Sequence, residues 1–132
     1  MADSFDFELV SPERRLAAMP ASAVQIPGAE GDLTAMPLHA PLITTLRPGL
    51  LTVEGPEGEA RFVVTGGFAE IGPGGASVLA ERAMRAEDAD GATFDALIEE
   101  ARKAAADSPA DDRDAADKLV ADLQALRTTV GV

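Results

Sequence analysis

The sequence contains no cysteine, no tryptophan and no tyrosine, and it has a single histidine among its 132 residues. Without cysteine the chain forms no disulfide, no thiolate metal site and no thiol nucleophile. Covalent catalysis requires a nucleophile, a base and a group that orients the base. With one histidine and no cysteine, the sequence offers no credible set of this kind. Because tryptophan and tyrosine most often anchor tight interfaces, we expect any docking to rely on phenylalanine, leucine, methionine and backbone groups.

Basic residues are scarce. The 11 Lys and Arg residues stand against 23 Asp and Glu residues, which gives a formal net charge of -12. No cluster of Lys and Arg is present to neutralise a run of phosphates, so nucleic acid is a poor candidate partner. Anionic lipid would repel the chain for the same reason, and we expect membrane association only through another protein.

Long apolar runs are also missing. The segment from Met1 to Asp6 lacks the basic region and apolar core of an export signal. Nowhere do apolar residues extend over the ~18 positions that a membrane-spanning helix requires. These absences predict a soluble protein of the cytoplasm.

The first two thirds of the chain carry a β pattern. Hydrophobic residues make up 46% of the chain and charged residues 26%, a balance typical of folded domains. From Phe5 to about Glu81, short alternating apolar stretches are separated by Gly and Pro, which favours an antiparallel sandwich or barrel over a parallel α/β sheet. The predicted strands cover residues 5–9, 16–19, 23–26, 42–46, 50–53, 61–65, 68–71 and 77–80.

Beyond Arg85 the apolar period becomes that of a helix. A first helix over about residues 91–106, capped by Asp90 or Thr93, carries an apolar stripe. Ser108 and Pro109 predict the start of a second helix, and the short link makes an antiparallel hairpin. The two stripes are Phe94, Leu97, Ile98, Ala101 and Ala105, then Ala116, Leu119, Val120, Leu123, Leu126 and Val130.

The change of period predicts an α+β chain with two domains. Residues 1–86 form a β-sandwich head, and residues 87–132 form the helical hairpin. Because much of the hairpin stripe is alanine, detaching the hairpin from a docking surface costs little free energy, which is consistent with a mobile regulatory arm.

Two patterns that suggest ligand sites have simpler interpretations. The glycines at 66–67 and 72–75 do not continue into Gly-Lys-Ser/Thr or open a helix, so they are turns and not a phosphate loop. The carboxylates between Asp107 and Asp117 lack the alternating spacing and central glycine of a calcium loop. We therefore expect no catalytic residue, no metal and no cofactor.

Six short segments of the head occur together in a recognisable order. With the hairpin that follows, they resemble the epsilon subunit of the bacterial F-type (rotary, proton-translocating) ATP synthase over essentially the whole chain. The segments are Phe7-x-Leu9-Val10-x-Pro12, Ile26-Pro27-Gly28-x-Glu30-Gly31-Asp32-Leu33, Pro37-x-His39-Ala40-Pro41-Leu42, Leu46-x-Pro48-Gly49, Gly66-Gly67-Phe68-x-Glu70 and Val78-Leu79-Ala80-Glu81.

The resemblance implies a non-catalytic rotor subunit of the central stalk. Its fold would be an antiparallel β-sandwich of about ten strands followed by the hairpin. It would couple rotation of the c ring to ATP synthesis through contacts with the gamma subunit and the c ring. It would act at the cytoplasmic face of the bacterial inner membrane as a peripheral protein. In some relatives the hairpin blocks ATP hydrolysis, which makes the alpha and beta subunits candidate partners of the hairpin and leaves that role open here.

The resemblance also assigns partner-binding residues. Glu30 and Asp32 would face polar loops of the c ring, whereas spacing alone favours a solvated turn. Ser11, His39 and Thr44 would lie on the side that meets gamma, although a buried, hydrogen-bonded histidine is the simpler interpretation of His39 by itself.

Three departures from the family pattern bear on function. Thr34 and Leu38 stand where glycine is frequent in relatives. Some members bind ATP through a Leu/Ile-Asp-x-x-Arg-Ala motif, and the matching stretch here, residues 89–94, has Thr93 in place of the arginine. ATP binding is therefore disfavoured. An ATP-sensing regulatory subunit and an unrelated β-sandwich adaptor are the alternative functions.

Overall fold

The structure is a computed structural model that describes residues 4–132. The chain divides into two compact units, Met1–Ala86 and Glu87–Val132. The first unit is built from strands and the second from helices, which confirms the α+β fold class. The strands are β1 Phe5–Val10, β2 Arg15–Ala21, β3 Ala23–Gly28, β4 Gly31–Ala35, β5 Leu42–Thr45, β6 Gly49–Gly55, β7 Gly58–Gly72 and β8 Gly75–Arg85.

The strands form an open sandwich from one hydrogen-bonded sheet. Its order is β2-β1-β8-β7-β6-β3-β4, and β5 pairs with β7 off this path. Every pairing is antiparallel except that of β1 with β8. The long strand β7 takes part in both halves of the sandwich: its first part pairs with β6, which leads to β3 and β4, and its second part pairs with β5.

The described residues hold eight strands, where the resemblance implied about ten. Two stretches expected as separate strands, 61–65 and 68–71, belong to the single strand β7. The glycines Gly66 and Gly67 between them have φ angles of 69° and 101°, so the strand bends there without ending. The sequence pattern missed β4, since Gly31–Ala35 has no strong alternation of apolar residues.

The core of the head follows from the alternation of side chains along the strands. In β1, Phe5, Phe7 and Leu9 are buried, while Asp6 and Glu8 lie on the other face, as the period of two requires. The largest fully buried side chains of the head include Phe7, Leu9, Val24, Ile26, Leu51, Val53, Phe62, Val63, Val64, Ile71 and Val78.

The second unit is a helical hairpin. Helix α1 covers Gly91–Asp107 and helix α2 covers Arg113–Val130. The whole predicted stripe of α1 is buried. In α2, Leu123 and Leu126 are buried, but Leu119 is 37% exposed.

The start of α2 differs from the sequence prediction. Ser108 does not cap it, because the Ser108 hydroxyl donates to the Ala104 carbonyl oxygen over 2.7 Å at the end of α1. Pro109 is extended, and a short 3-10 turn, Ala110–Asp112, precedes α2. The capping signal does mark a helix boundary, but Ser108 ends one helix rather than opening the next.

Candidate docking surfaces

An acidic turn joins β3 to β4. Gly28 pairs with Gly31 at the end of the ladder, so Ala29 and Glu30 form a two-residue turn of the kind typical of antiparallel hairpins. Gly31 has a φ of 144°, a conformation that favours glycine. Glu30 is exposed at the tip of the turn, and the Asp32 side chain, which follows it, is 75% exposed.

Asp32 has a partner within the chain. Its carboxylate forms an ion pair with the guanidinium of Arg47, which also donates to the Gly28 carbonyl oxygen over 2.5 Å. Glu30 forms no ion pair within residues 4–132. Sequence reasoning missed Arg47, because the segment in which it lies shows no pattern that points to the turn.

The three residues assigned to gamma lie in different settings. Ser11 follows β1, and its hydroxyl donates to a backbone carbonyl oxygen three residues on, over 3.3 Å. His39 is half-buried before β5, and its Nδ1 lies 2.6 Å from the Ala40 carbonyl oxygen. Thr44 lies in β5, and its hydroxyl donates to the carbonyl oxygen of the next residue over 3.2 Å. No hydrogen bond joins any two of the three in this part of the chain.

The loop that carries His39 contains a residue in the left-handed region. Leu38 has a φ of 69°, and every other residue with a positive φ between residues 4 and 132 is a glycine. Its N–H donates to the Pro73 carbonyl oxygen over 3.1 Å, and its side chain is 70% exposed. The loop therefore holds a leucine in a conformation that favours glycine.

The side chain of Thr44 lies on the inner face of the sheet. Thr44 is opposite Ala69, Ala69 is opposite Val78, and Val78 is opposite Leu9. All three apolar residues in this row are fully buried. Since side chains alternate between the faces of a strand, the two neighbours of Thr44 in β5 lie on the outer face.

The outer face of β5, β7 and β8 carries exposed apolar side chains. Ile43 is 68% exposed, and Phe68 and Leu79 are each 42% exposed. Phe68 and Leu79 are directly opposite each other, and Val10 is the next residue in the row, on β1. We call Ile43, Phe68 and Leu79 the apolar strip. Sequence reasoning missed the strip, although the alternation of Phe68 with Ala69 and of Glu70 with Ile71 could have placed Phe68 outside.

Carboxylates flank the apolar strip. Ile43 is opposite Glu70, Glu70 is opposite Ser77, and Ser77 is opposite Glu8. This row lies beside the row of Phe68 and Leu79 on the same face. Glu8 is paired with Arg15, whose guanidinium lies 3.6 Å from its carboxylate, so a partner that covers the strip meets negative charge mainly at Glu70.

The start of α1 is capped by a carboxylate. Asp90 accepts hydrogen bonds from the Thr93 N–H, 2.9 Å away, and from the Thr93 hydroxyl, 2.8 Å away. These bonds, the one from the backbone N–H most, hold the pKa of Asp90 below its ordinary value. Asp90, not Thr93, is therefore the cap of α1. Thr93, which stands where the nucleotide motif has arginine, donates to this cap.

Arg127 connects the two helices of the hairpin. Its guanidinium forms an ion pair with Asp95 of α1, and its Nε donates to the Val132 carbonyl oxygen over 2.9 Å.

Among residues 4–132, no group of acidic and histidine side chains is arranged to hold a metal ion. No helix in the same range is long and apolar enough to cross a membrane.

Comparison with known proteins gives a consistent result. Residues 4–86 match the family described as "ATP synthase, Delta/Epsilon chain, beta-sandwich domain". The ATP synthase epsilon chain of Ruegeria sp. (strain TM1040) is 56% identical over 134 residues, with 97% of each chain covered. That of Fuscovulum blasticum is 53% identical over 131 residues, with 99% of each chain covered.

The fold has a solved counterpart. A chain in the cryo-EM structure of the Euglena gracilis mitochondrial ATP synthase, described as OSCP/F1/c-ring in rotational state 1, superposes with a TM-score of 0.75 at 22% identity. The match covers 98% of this chain and 83% of that chain. The family match, the close bacterial relatives and the shared fold agree with the sequence resemblance, and the chain therefore belongs to the ATP synthase epsilon chain family, whose members are non-catalytic subunits of the central stalk.

Proposed function

We propose that this chain couples rotation of the c ring to ATP synthesis by seating its head between gamma and the c ring. The observation that carries the proposal is that one stiff sheet presents two separate exposed features, the apolar strip and the acidic turn. A closely packed sandwich has low compressibility, so it transmits torque between two partners with little deformation. The site of action would be the cytoplasmic face of the bacterial inner membrane.

The contact with gamma is proposed to centre on the apolar strip. Exposed apolar side chains that adjoin across three strands mark a protein interaction site, and the flanking carboxylates favour a partner with basic groups at its edge. Ser11 follows Val10 at one end of the strip, and Thr44 lies between the outward residues of β5 at the other. We propose that Ser11, His39 and the β5 backbone at Thr44, whose side chain lies on the inner face, border the gamma interface.

The contact with the c ring is proposed to use the acidic turn. Glu30 and Asp32 project from a tight hairpin, which suits recognition of basic or polar loops. Charged groups at such a contact set orientation and register more than raw affinity.

The hairpin is proposed to be dispensable for docking, because both features lie in the head. We expect a chain that ends at Ala86 to bind purified gamma within about threefold of the affinity of the full chain, measured by calorimetry. The truncated chain keeps the whole core of the first unit. Loss of gamma binding on truncation would contradict this division of roles and assign part of the interface to the helical unit.

We further propose that the chain does not bind ATP. Thr93 donates to Asp90 where the family motif places an arginine, and Arg127 is engaged by Asp95 and the Val132 carbonyl oxygen. Calorimetric titration of ATP into the full chain should show no saturable heat up to the millimolar range. A submillimolar dissociation constant would instead support the ATP-sensing alternative.

A further inference from the structure

Arg47 contacts the acidic turn through both its backbone and its side chain. Its N–H donates to the Pro27 carbonyl oxygen over 3.0 Å. Its guanidinium donates to the Gly28 carbonyl oxygen over 2.5 Å and pairs with the Asp32 carboxylate. These contacts lie on both sides of the turn, before Ala29 and after Gly31, so one side chain joins its two ends.

The backbone around Arg47 supports the same turn. The Ala29 N–H donates to the Thr45 carbonyl oxygen over 2.8 Å. A Cβ on Gly28 would lie 2.6 Å from the Gly31 carbonyl oxygen, and a Cβ on Gly49 would lie 2.4 Å from the Cβ of Pro27. The two ends of the turn therefore approach each other too closely to admit a side chain at Gly28, and the segment that follows Arg47 packs too closely on Pro27 to admit one at Gly49.

The charges of the two acidic residues are not equivalent. The Arg47 side chain is 29% exposed and offsets the negative charge of Asp32. Glu30 is held by no ion pair within the described chain, whereas the Asp32 carboxylate is held in place by Arg47 and, at 75% exposed, stays open to a partner.

We propose that Arg47 is a positioning residue that fixes the acidic turn, and with it the Asp32 and Glu30 carboxylates, in the geometry that meets a basic or polar partner. The inference rests on the proposed contact between this turn and the c ring. It gives Asp32 a second role beside its place in that contact, as the anchor for Arg47. Bidentate donors such as guanidinium order two acceptors at once, which a lysine does only in part.

The first test concerns the turn itself and needs no partner. In the full chain, Arg47→Met should raise the hydrogen-exchange rates of the Ala29 and Arg47 amides about fivefold, as loss of a largely exposed charge-assisted bond predicts. Arg47→Lys should have an intermediate effect. Arg61→Met removes an arginine of the same sheet whose Nε lies 3.9 Å from the Glu59 carboxylate, and it should leave both rates unchanged. Unchanged rates in Arg47→Met would overturn the positioning role.

The second test measures affinity for c rings, because charge alone and positioning of the turn predict changes of opposite sign. Arg47→Met makes the turn more acidic, so a contact that depended on charge alone would bind a basic partner more tightly. Positioning predicts the reverse, a fall of about fivefold in the affinity of the gamma complex of the full chain for purified c rings. Asp32→Asn should cause a fall at least as large, since it removes both the anchor of Arg47 and a docking carboxylate, and the double variant should lose no more than Asp32→Asn alone. Tighter binding by Arg47→Met would refute the proposal.

Glu30→Gln separates this inference from the proposed function. We expect it to weaken association with c rings and to reduce the dependence on salt, while the amide exchange rates stay unchanged. If neither Glu30→Gln nor Asp32→Asn affects association, the proposed c-ring contact at this turn is wrong. The exchange rates of Arg47→Met then decide for or against Arg47 as the residue that orders the turn.

Discussion

Replacing Gly67 with alanine is expected to destabilise the head by about 3–5 kcal/mol. A Cβ at this position would lie 1.9 Å from the Leu79 carbonyl oxygen, which is backbone of the paired strand and cannot rotate away. The φ of 101° adds a conformational cost for any residue with a Cβ. Denaturant unfolding of the full chain, followed by a probe of β structure, measures the effect.

Two other glycines serve as controls for the separate causes. Gly58 has a φ of 121°, but a Cβ added to it would meet no atom within 4 Å. Gly72, in the same strand as Gly67, has neither a positive φ nor a close neighbour. Gly58→Ala should cost about 1–2 kcal/mol, and Gly72→Ala should be within about 0.5 kcal/mol of the parent. If Gly67→Ala were no worse than Gly58→Ala, the close approach of β8 at the bend would not be the source of the constraint.

Replacing Phe68 with aspartate is expected to weaken binding to gamma about 100-fold while leaving the head folded. Phe68 is 42% exposed, so the substitution costs little in the free chain. In the complex a carboxylate would be buried among apolar groups, and losses of about 2–4 kcal/mol are typical of a central interface residue. Calorimetry with purified gamma measures the affinity, and thermal unfolding of the free variant checks the fold.

Leu119→Asp is the matched control for Phe68→Asp. Leu119 is also a large, partly exposed apolar residue, at 37%, but it lies in α2. We expect its replacement to leave gamma affinity unchanged. Equal losses from the two substitutions would show that the apolar strip has no special role, and an unaffected Phe68→Asp would place the gamma interface elsewhere on the head.

The alternation of β1 and the helical stripe of α1 were predictable because each depends on neighbours in the chain. Phe5, Phe7 and Leu9 are buried as the period of two requires, and all five stripe residues of α1 are buried as the period of 3.6 requires. A helix boundary at Ser108 could also be predicted, but not whether Ser108 ends α1 or opens α2. That choice depends on whether the hydroxyl meets the preceding or the following turn.

The outer-face surroundings of Phe68 and the pairing of Arg47 with Asp32 depend instead on contacts between segments that are distant in the chain. Phe68 resembles a core residue until its register with Leu79 and Thr45 is known. Arg47 and Asp32 are 15 residues apart, and only the bridge between Gly28 and Leu46 brings their segments together. The pairing of Arg47 with Asp32 could not be predicted from local spacing, and the alternation from Phe68 to Ile71 indicates the face of Phe68 but not which strands lie beside it.

The sequence by itself determined the α+β class, the two-part organisation, the family and the segments that carry the acidic turn. The class and the two-part organisation follow from local periodicity and turn chemistry, which each stretch of chain expresses independently of the rest. The family and the acidic turn were recognised from the resemblance of the six quoted segments. The tertiary structure alone decided which apolar residues remain exposed, that β7 bends without ending, and that Arg47 supports the turn. Such features arise from strand register and long-range contacts, where residues distant in the chain fix one another's surroundings.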